Sequence, residues 1–249
     1  MRKRWLYFMP VLLSSVLLTG CNLESDPGKL TQVVVQRTVA PQGLQTIETA
    51  LEGMKELQNY QLKANLQVTT GRFVQTVDFY GTVILPDSVL MDETIGNADY
   101  ELYQSGHFAY YDDGNIWKKM TPLSDLRPWD SLLNLLKESP PRVVYELPKQ
   151  TVVSWDCYVF QFATKAKQGS AVEEAGLGAI GQQTIPHTAL YTVWIDTKDG
   201  QFRQVEVQST AGVPSIGTES FEGTTLFFSE NKNQPLKVPS SLLQQVEEP

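Results

Sequence analysis

Residues 44–85, LQTIETALEGMKELQNYQLKANLQVTTGRFVQTVDFYGTVIL, decide how the rest of the chain is read. Leu44, Ile47, Leu51, Met54 and Leu57 recur at spacings of three and four, which predicts an amphipathic helix from Leu44 to Tyr60. Gln45, Glu48, Glu52, Lys55 and Glu56 cover its other side. Gly53 weakens it by about 1 kcal/mol relative to Ala. The period then changes from 3.6 to 2. Leu62, Ala64, Leu66 and Val68 alternate with Lys63, Asn65, Gln67 and Thr69, the pattern of a strand with one buried face. Gly71-Arg72 turns the chain, and Phe73, Val77, Phe79, Val83 and Leu85 share one parity of a second strand. A helix of this length is marginal alone in water, so its stripe needs this sheet as a partner.

The same reading extends onward. Pro86-Asp87-Ser88 turns into Val89 to Ile95, and short strands follow at Tyr100 to Tyr103 and His107 to Tyr111. Asp112-Asp113-Gly114-Asn115 is a hairpin turn leading to Ile116 to Lys119. Pro128 to Glu138 is a second helix, with Leu132, Leu133, Leu135 and Leu136 forming a broad apolar face before Pro140-Pro141 stops it. Strands resume at Val143 to Leu147, Thr151 to Phe162, Ala189 to Asp196, Phe202 to Ser209 and Thr224 to Ser229. Lys198-Asp199-Gly200 joins the third and fourth of these as a hairpin. The class is α+β, with about ten antiparallel strands, a long N-terminal helix and a second helix inserted midway. Residues 44–249 form a single domain. Lys165 to Thr188, rich in Gly and Ala and without an aromatic residue, is an insertion, either a loop or a lid.

The start of the chain gives an address. Arg2, Lys3 and Arg4 precede an apolar run from Trp5 to Leu18, which is shorter than the roughly 20 residues a membrane span needs. This is the order of a secretory signal peptide, residues 1–20. Its ending, Leu18-Thr19-Gly20-Cys21, resembles the bacterial lipobox. That resemblance implies a diacylglycerol on the Cys21 sulfur, cleavage just before it, and a lipid anchor at the extracytoplasmic face of a cell membrane. Residues 21–43 then read as a tether broken by Asp26-Pro27-Gly28 and Pro41-Gln42-Gly43, with Val33-Val34-Val35 as an optional edge strand. As a flexible coil it spans about 25 Å.

Composition excludes several functions. The chain has 20 Lys+Arg against 28 Asp+Glu; loss of Arg2, Lys3 and Arg4 leaves 17 against 28, a net charge of −11. Such a surface repels nucleic acid. With Cys21 lipidated, Cys157 has no intrachain partner and reads as a buried thiol. His107 and His187, the only histidines, have no ligand spacing to Cys or paired carboxylates, so no metal site is expected. Neither a nucleophile elbow nor a phosphate-cradling loop occurs. The acid pairs Asp112-Asp113 and Glu173-Glu174 read as turn and solvated face. No cofactor and no enzymatic chemistry are expected.

Aromatics on both parities complete the reading. In Asp156 to Phe162, Cys157 and Val159 point one way while Tyr158, Phe160 and Phe162 point the other. Such a sheet is covered on both sides, or one side lines an apolar hollow. The order of elements resembles the LolA/LolB-like lipoprotein-carrier superfamily, with LppX-type lipoproteins among its members. The residues carrying the resemblance are Ala109-Tyr110-Tyr111-Asp112-Asp113-Gly114-Asn115-Ile116-Trp117-Lys118 and the hairpin from Leu190 to Val205. The resemblance implies a strongly curved, unclosed half-barrel whose concave face the helices cover, and an apolar ligand such as a lipid or lipoprotein acyl chain in the hollow. By residue type and position, Tyr80, Tyr110, Trp117, Leu132, Leu136 and Phe160 are the lining candidates. The family's cavity arginine has no counterpart assigned here. The alternative is a ligand-free envelope sensing or protein-interaction module of the same fold.

Overall fold

The computed structural model describes residues 36–114, 116–166, 187–213, 217–232 and 235–247. The signal peptide, Cys21, Val33 to Val35 and nearly all of the insertion between 165 and 188 lie outside the described residues. Helix α1, Gly43–Gly53, continues as one 3₁₀ turn over Met54–Glu56, and it buries Ile47, Ala50, Leu51 and Met54. It is shorter than the expected helix to Tyr60, because Leu57 is extended (φ −68°, ψ 135°) and strand β2, Asn59–Thr70, has already begun. Tyr60 serves the sheet instead of the helix. Its hydroxyl donates to the Leu126 carbonyl at 2.7 Å, and its ring meets Trp129 edge-on at 5.1 Å.

From β2 the chain zigzags outward through β3 (Phe73–Ile84), β4 (Ser88–Ile95), β5 (Ala98–Ser105), β6 (Phe108–Asp112) and β7 (Trp117–Lys119). Helix α2, Pro128–Glu138, carries it across to β8 (Val144–Val152). It then returns through β9 (Trp155–Ala166), β10 (His187–Asp196), β11 (Phe202–Val213) and β12 (Gly217–Phe228), which pairs with β2. With β1 (Thr38–Val39) beside β8, this makes one antiparallel sheet in the order β1-β8-β9-β10-β11-β12-β2-β3-β4-β5-β6-β7. The sheet is not closed.

The described residues thus form twelve strands against the expected ten or so; the edge strand is the added one, and two further corrections move strand bounds. An edge strand forms at Thr38–Val39. Strand β8 runs on to Val152 and turns through Val153, whose φ of 56° is left-handed, where no glycine or proline announces a turn. Strand β12 starts at Gly217, since Gly, Thr and Ser between 217 and 224 mask its alternation although the ladder with β11 is continuous. A helix missed in the sequence, α3 (Ser240–Glu247), closes the described chain.

One face of the sheet, called inner here, meets α1 and α2 in a single core that includes Tyr60, Leu62, Leu66, Val83, Trp129, Leu133, Leu136, Phe162, Tyr191 and Phe227. Strands β3 and β4 approach each other closely at Gly81. A Cβ on Gly81 would lie 2.6 Å from the Leu90 carbonyl oxygen and 2.8 Å from the Met91 Cα, so only glycine permits the approach.

The outer face carries two smaller clusters. Cys157, Val159 and Trp194 pack with Trp155, over which the Arg203 guanidinium stacks at 4.6 Å. Arg203 is buried and reaches Asp196 (3.2 Å), Asp199 (2.6 Å) and Glu230 (2.6 Å). At the β7 edge, Leu242 of α3 covers Tyr103 and Trp117. The Gln245 side chain accepts from the Trp117 backbone N–H and donates to the Trp117 carbonyl, both at 2.8 Å, while the Trp117 indole donates to Ser241 Oγ at 3.0 Å.

The close approach at residue 81 gives a test. Gly81→Ala is expected to destabilise the domain by about 1–3 kcal/mol, the range for overpacked sites. Urea unfolding should show a lower midpoint with an unchanged slope.

Candidate functional site

The site is built by strand parity. On the inner face, odd-numbered residues of β3 and β4 stand opposite even-numbered residues of β5: Gly81, Met91 and Leu102 form one cross-strand row, and Phe79, Glu93 and Tyr100 the next. Helix α2 buries the part of this face nearest β10, β11 and β12. Beyond it, Val68, Phe79, Met91, Ile95 and Leu102 are only partly buried while still packed on the core. They lie on the inner face of β2 to β5 as an apolar strip, called the trough below.

Glu93 is the charged group in its central row, standing between Phe79 and Tyr100. Burial holds its carboxyl above the usual carboxylate range. The outer face of the same strands is acidic. Asp92, Glu101 and Asp112 stand directly opposite one another across β4, β5 and β6. The Glu101 carboxyl is also raised, by burial first and then by Asp92 and Asp112.

Directly beneath α2 the space is filled. The cavity lined by Trp129, Leu132, Tyr191, Phe202, Gly223 and Phe227 is about 20 Å³, which holds one water and no acyl chain. The buried Trp129 Nε1 has no hydrogen-bond partner among the described residues.

The structure splits the six lining candidates. Leu132, Leu136 and Phe160 lie together on the inner side, 5 %, 0 % and 5 % exposed, in tightly packed core. Tyr80, Tyr110 and Trp117 are on the outer face. Tyr80 is 48 % exposed, paired with Lys63 and Asp92 and 6.2 Å from Phe228, while Tyr110 and Trp117 pack beneath α3. Cys21 lies outside the described residues, as do Glu173 and Glu174. The trough residues were not singled out in the sequence, although their signal is present: the shared parity of Val77, Phe79 and Val83 continues across the hairpin into Val89, Met91 and Ile95.

Groups with other chemistry are occupied. Cys157 is fully buried and its thiol is pushed up to about 11, by burial first and then by Asp196. Asp112 accepts from the Gly114 backbone N–H at 2.9 Å, and Asp113 pairs with Lys118. Among the described residues no cluster of three His, Cys, Asp or Glu side chains is placed to hold a metal ion, and no helix is long and apolar enough to cross a membrane.

LprF from Mycobacterium bovis, a solved structure, aligns with 82 % of this chain and 99 % of its own, at a TM-score of 0.52 and 8 % identity. The chain shares its fold with LprF. At that identity the likeness concerns the fold alone. A LolA superfamily protein from Nitrosomonas europaea aligns with 77 % of this chain and 94 % of its own, at 7 % identity and a TM-score of 0.30, too distant to carry an argument. No protein-family model and no curated protein matches the chain.

Glu93 makes the trough testable by pH. Its raised carboxyl means that the folded protein holds the proton more tightly than the unfolded chain does. Stability should fall as pH rises from the unfolded carboxyl range through the folded value, and level off above it. Glu93→Gln is expected to remove that fall and to raise the urea midpoint at pH 8 with little change at pH 4.

Proposed function

We propose that this chain is an extracytoplasmic lipoprotein, anchored to a membrane through acylated Cys21, that holds a lipid or acyl chain in the trough of its inner face. One observation carries the reading: Val68, Phe79, Met91, Ile95 and Leu102 are apolar residues of the inner face that stay only partly buried. Sheathing a hydrocarbon chain there is favourable by about 0.8 kcal/mol per buried CH₂. A twelve-carbon chain thereby offsets the ordering cost of binding without polar contacts. Chain length should govern affinity more than headgroup, and Glu93 disfavours an anionic head at mid-trough. We read the protein as a holder and not as an enzyme.

The filled space beneath α2 favours a second reading, a ligand-free sensing or interaction module at the envelope. The pair Phe79 and Tyr80 separates the two, because they are chain neighbours on opposite faces. Native mass spectrometry of protein taken from cells is expected to show co-purifying lipid, lost in Phe79→Arg and retained in Tyr80→Arg. A clean apo mass in the parent protein would leave the interaction module.

The anchor is tested separately. Cys21→Ser in the native host should move the protein from the membrane to the soluble fraction and abolish labelling by a palmitate analogue. Unchanged retention and labelling would remove the lipoprotein reading.

A further inference from the structure

A second cleft lies at the end of the sheet where β2 begins, β3 ends, β4 begins and β5 ends, away from the trough's outermost row at Val77 and Ile95. Its volume is about 750 Å³, within the 300–1,000 Å³ range of small-molecule sites. Leu57, Ile84, Leu85, Tyr103 and Leu236 supply apolar walls, and Arg127, just before α2, is the one charged side chain among the lining residues. The wall from β5 is rigid. Gln104 is 1 % exposed, and its amide donates to the Asp87 and Leu123 carbonyls and accepts from the Leu123 N–H.

Arg127 is half-buried and has no ion pair among the described residues. The nearest acid in the chain, Asp125, is committed elsewhere: one oxygen accepts from the Arg127 backbone N–H at 2.9 Å and the other from Ser131 Oγ at 3.1 Å. Arg127 therefore has guanidinium N–H donors available to an anion at the wall of this cleft. In a chain of net charge −8 anions are otherwise repelled, so the contrast marks this spot.

We infer that the cleft binds a small anionic amphiphile, its carboxylate or phosphate monoester forked by Arg127 and its apolar part against Leu57, Ile84, Leu85, Tyr103 and Leu236. The planar guanidinium suits either head, since both offer two oxygens to parallel N–H donors. Its occupant differs in charge from the chain proposed for the trough.

The test is titration calorimetry of the full chain in nanodiscs with hexyl phosphate, set against inorganic phosphate, hexanoate and hexanol. Hexyl phosphate and hexanoate are expected to bind saturably and to compete. Inorganic phosphate and hexanol should each bind at least tenfold more weakly. Arg127→Gln should weaken hexyl phosphate at least tenfold and leave hexanol unchanged, whereas Leu236→Ser should weaken hexyl phosphate without affecting inorganic phosphate. Phe79→Arg, which blocks the trough, should leave hexyl phosphate unaffected, so either site can fail alone. If Arg127→Gln does not fold, Arg127→Lys keeps the charge without the fork and should bind hexyl phosphate at intermediate affinity. No saturable binding, equal binding by parent and Arg127 variants, or equal affinity for hexyl phosphate and inorganic phosphate would each overturn the assignment.

Discussion

The seating of α2 on the inner face of the sheet is the contact on which the rest of this domain depends. An open antiparallel sheet has one apolar face to cover, and an eleven-residue helix is marginal alone, so each supplies what the other lacks. Trp129 stands at the centre, edge-on to Tyr60 at 5.1 Å and to Phe227 at 6.1 Å, with Phe202 a further 6.0 Å from Phe227. Both helix ends are also tied to strands. Tyr60 of β2 donates to Leu126 just before α2, and Thr164 of β9 donates to the Ser139 carbonyl just after it at 2.8 Å. Burial raises the Tyr60 phenol well above its ordinary range, with Asp125 adding to the effect, so this donor keeps its proton. Strands on either side of the β12–β2 junction are thereby held by one element.

The same contact decides where a ligand has room. Helix α2 fills the space above β10, β11 and β12, and partly buried apolar residues of the inner face lie beyond it on β2 to β5. The glycine at 81 permits the close approach of β3 and β4, and the outer-face knot of Arg203, Asp196, Asp199 and Glu230 fastens the opposite side of the sheet. Arg203 links the β10–β11 hairpin to the segment after β12, and its buried charge is tolerable because three carboxylates surround it. Rigid packing at one side and a half-open trough at the other are two results of one arrangement.

Much of this was legible residue by residue. Helix α2 has the bounds its leucine spacing and flanking prolines predict, and the hairpins at Gly71-Arg72 and Lys198 to Gly200, with the turn beginning at Asp112 to Gly114, fall where turn chemistry puts them. The end of α1 was not legible, since Leu57 and Tyr60 continue the helical spacing although Tyr60 is needed in the sheet. Helix α3 buries only Leu242 among its described side chains and offers almost no periodicity. For the site, residue type alone could not separate Phe79 from Tyr80, or Phe160 from Tyr110. Which face an aromatic takes depends on register carried across several strands, and a pleated ladder sets that only once neighbours are paired.

The treatment of the two sheet borders has a consequence for how the protein behaves among its own copies. An unclosed ladder offers unpaired N–H and C=O groups to any passing strand, the usual seed of edge-to-edge polymerisation. Here one border strand is two residues long and the other three, and on the latter the Gln245 amide occupies the donor and acceptor places a neighbouring peptide would take. The side chain mimics the next strand and ends the ladder. A chain crowded with identical copies on a surface is thereby protected from zipping to them, and the short C-terminal helix, slight in its own packing, serves as the stopper.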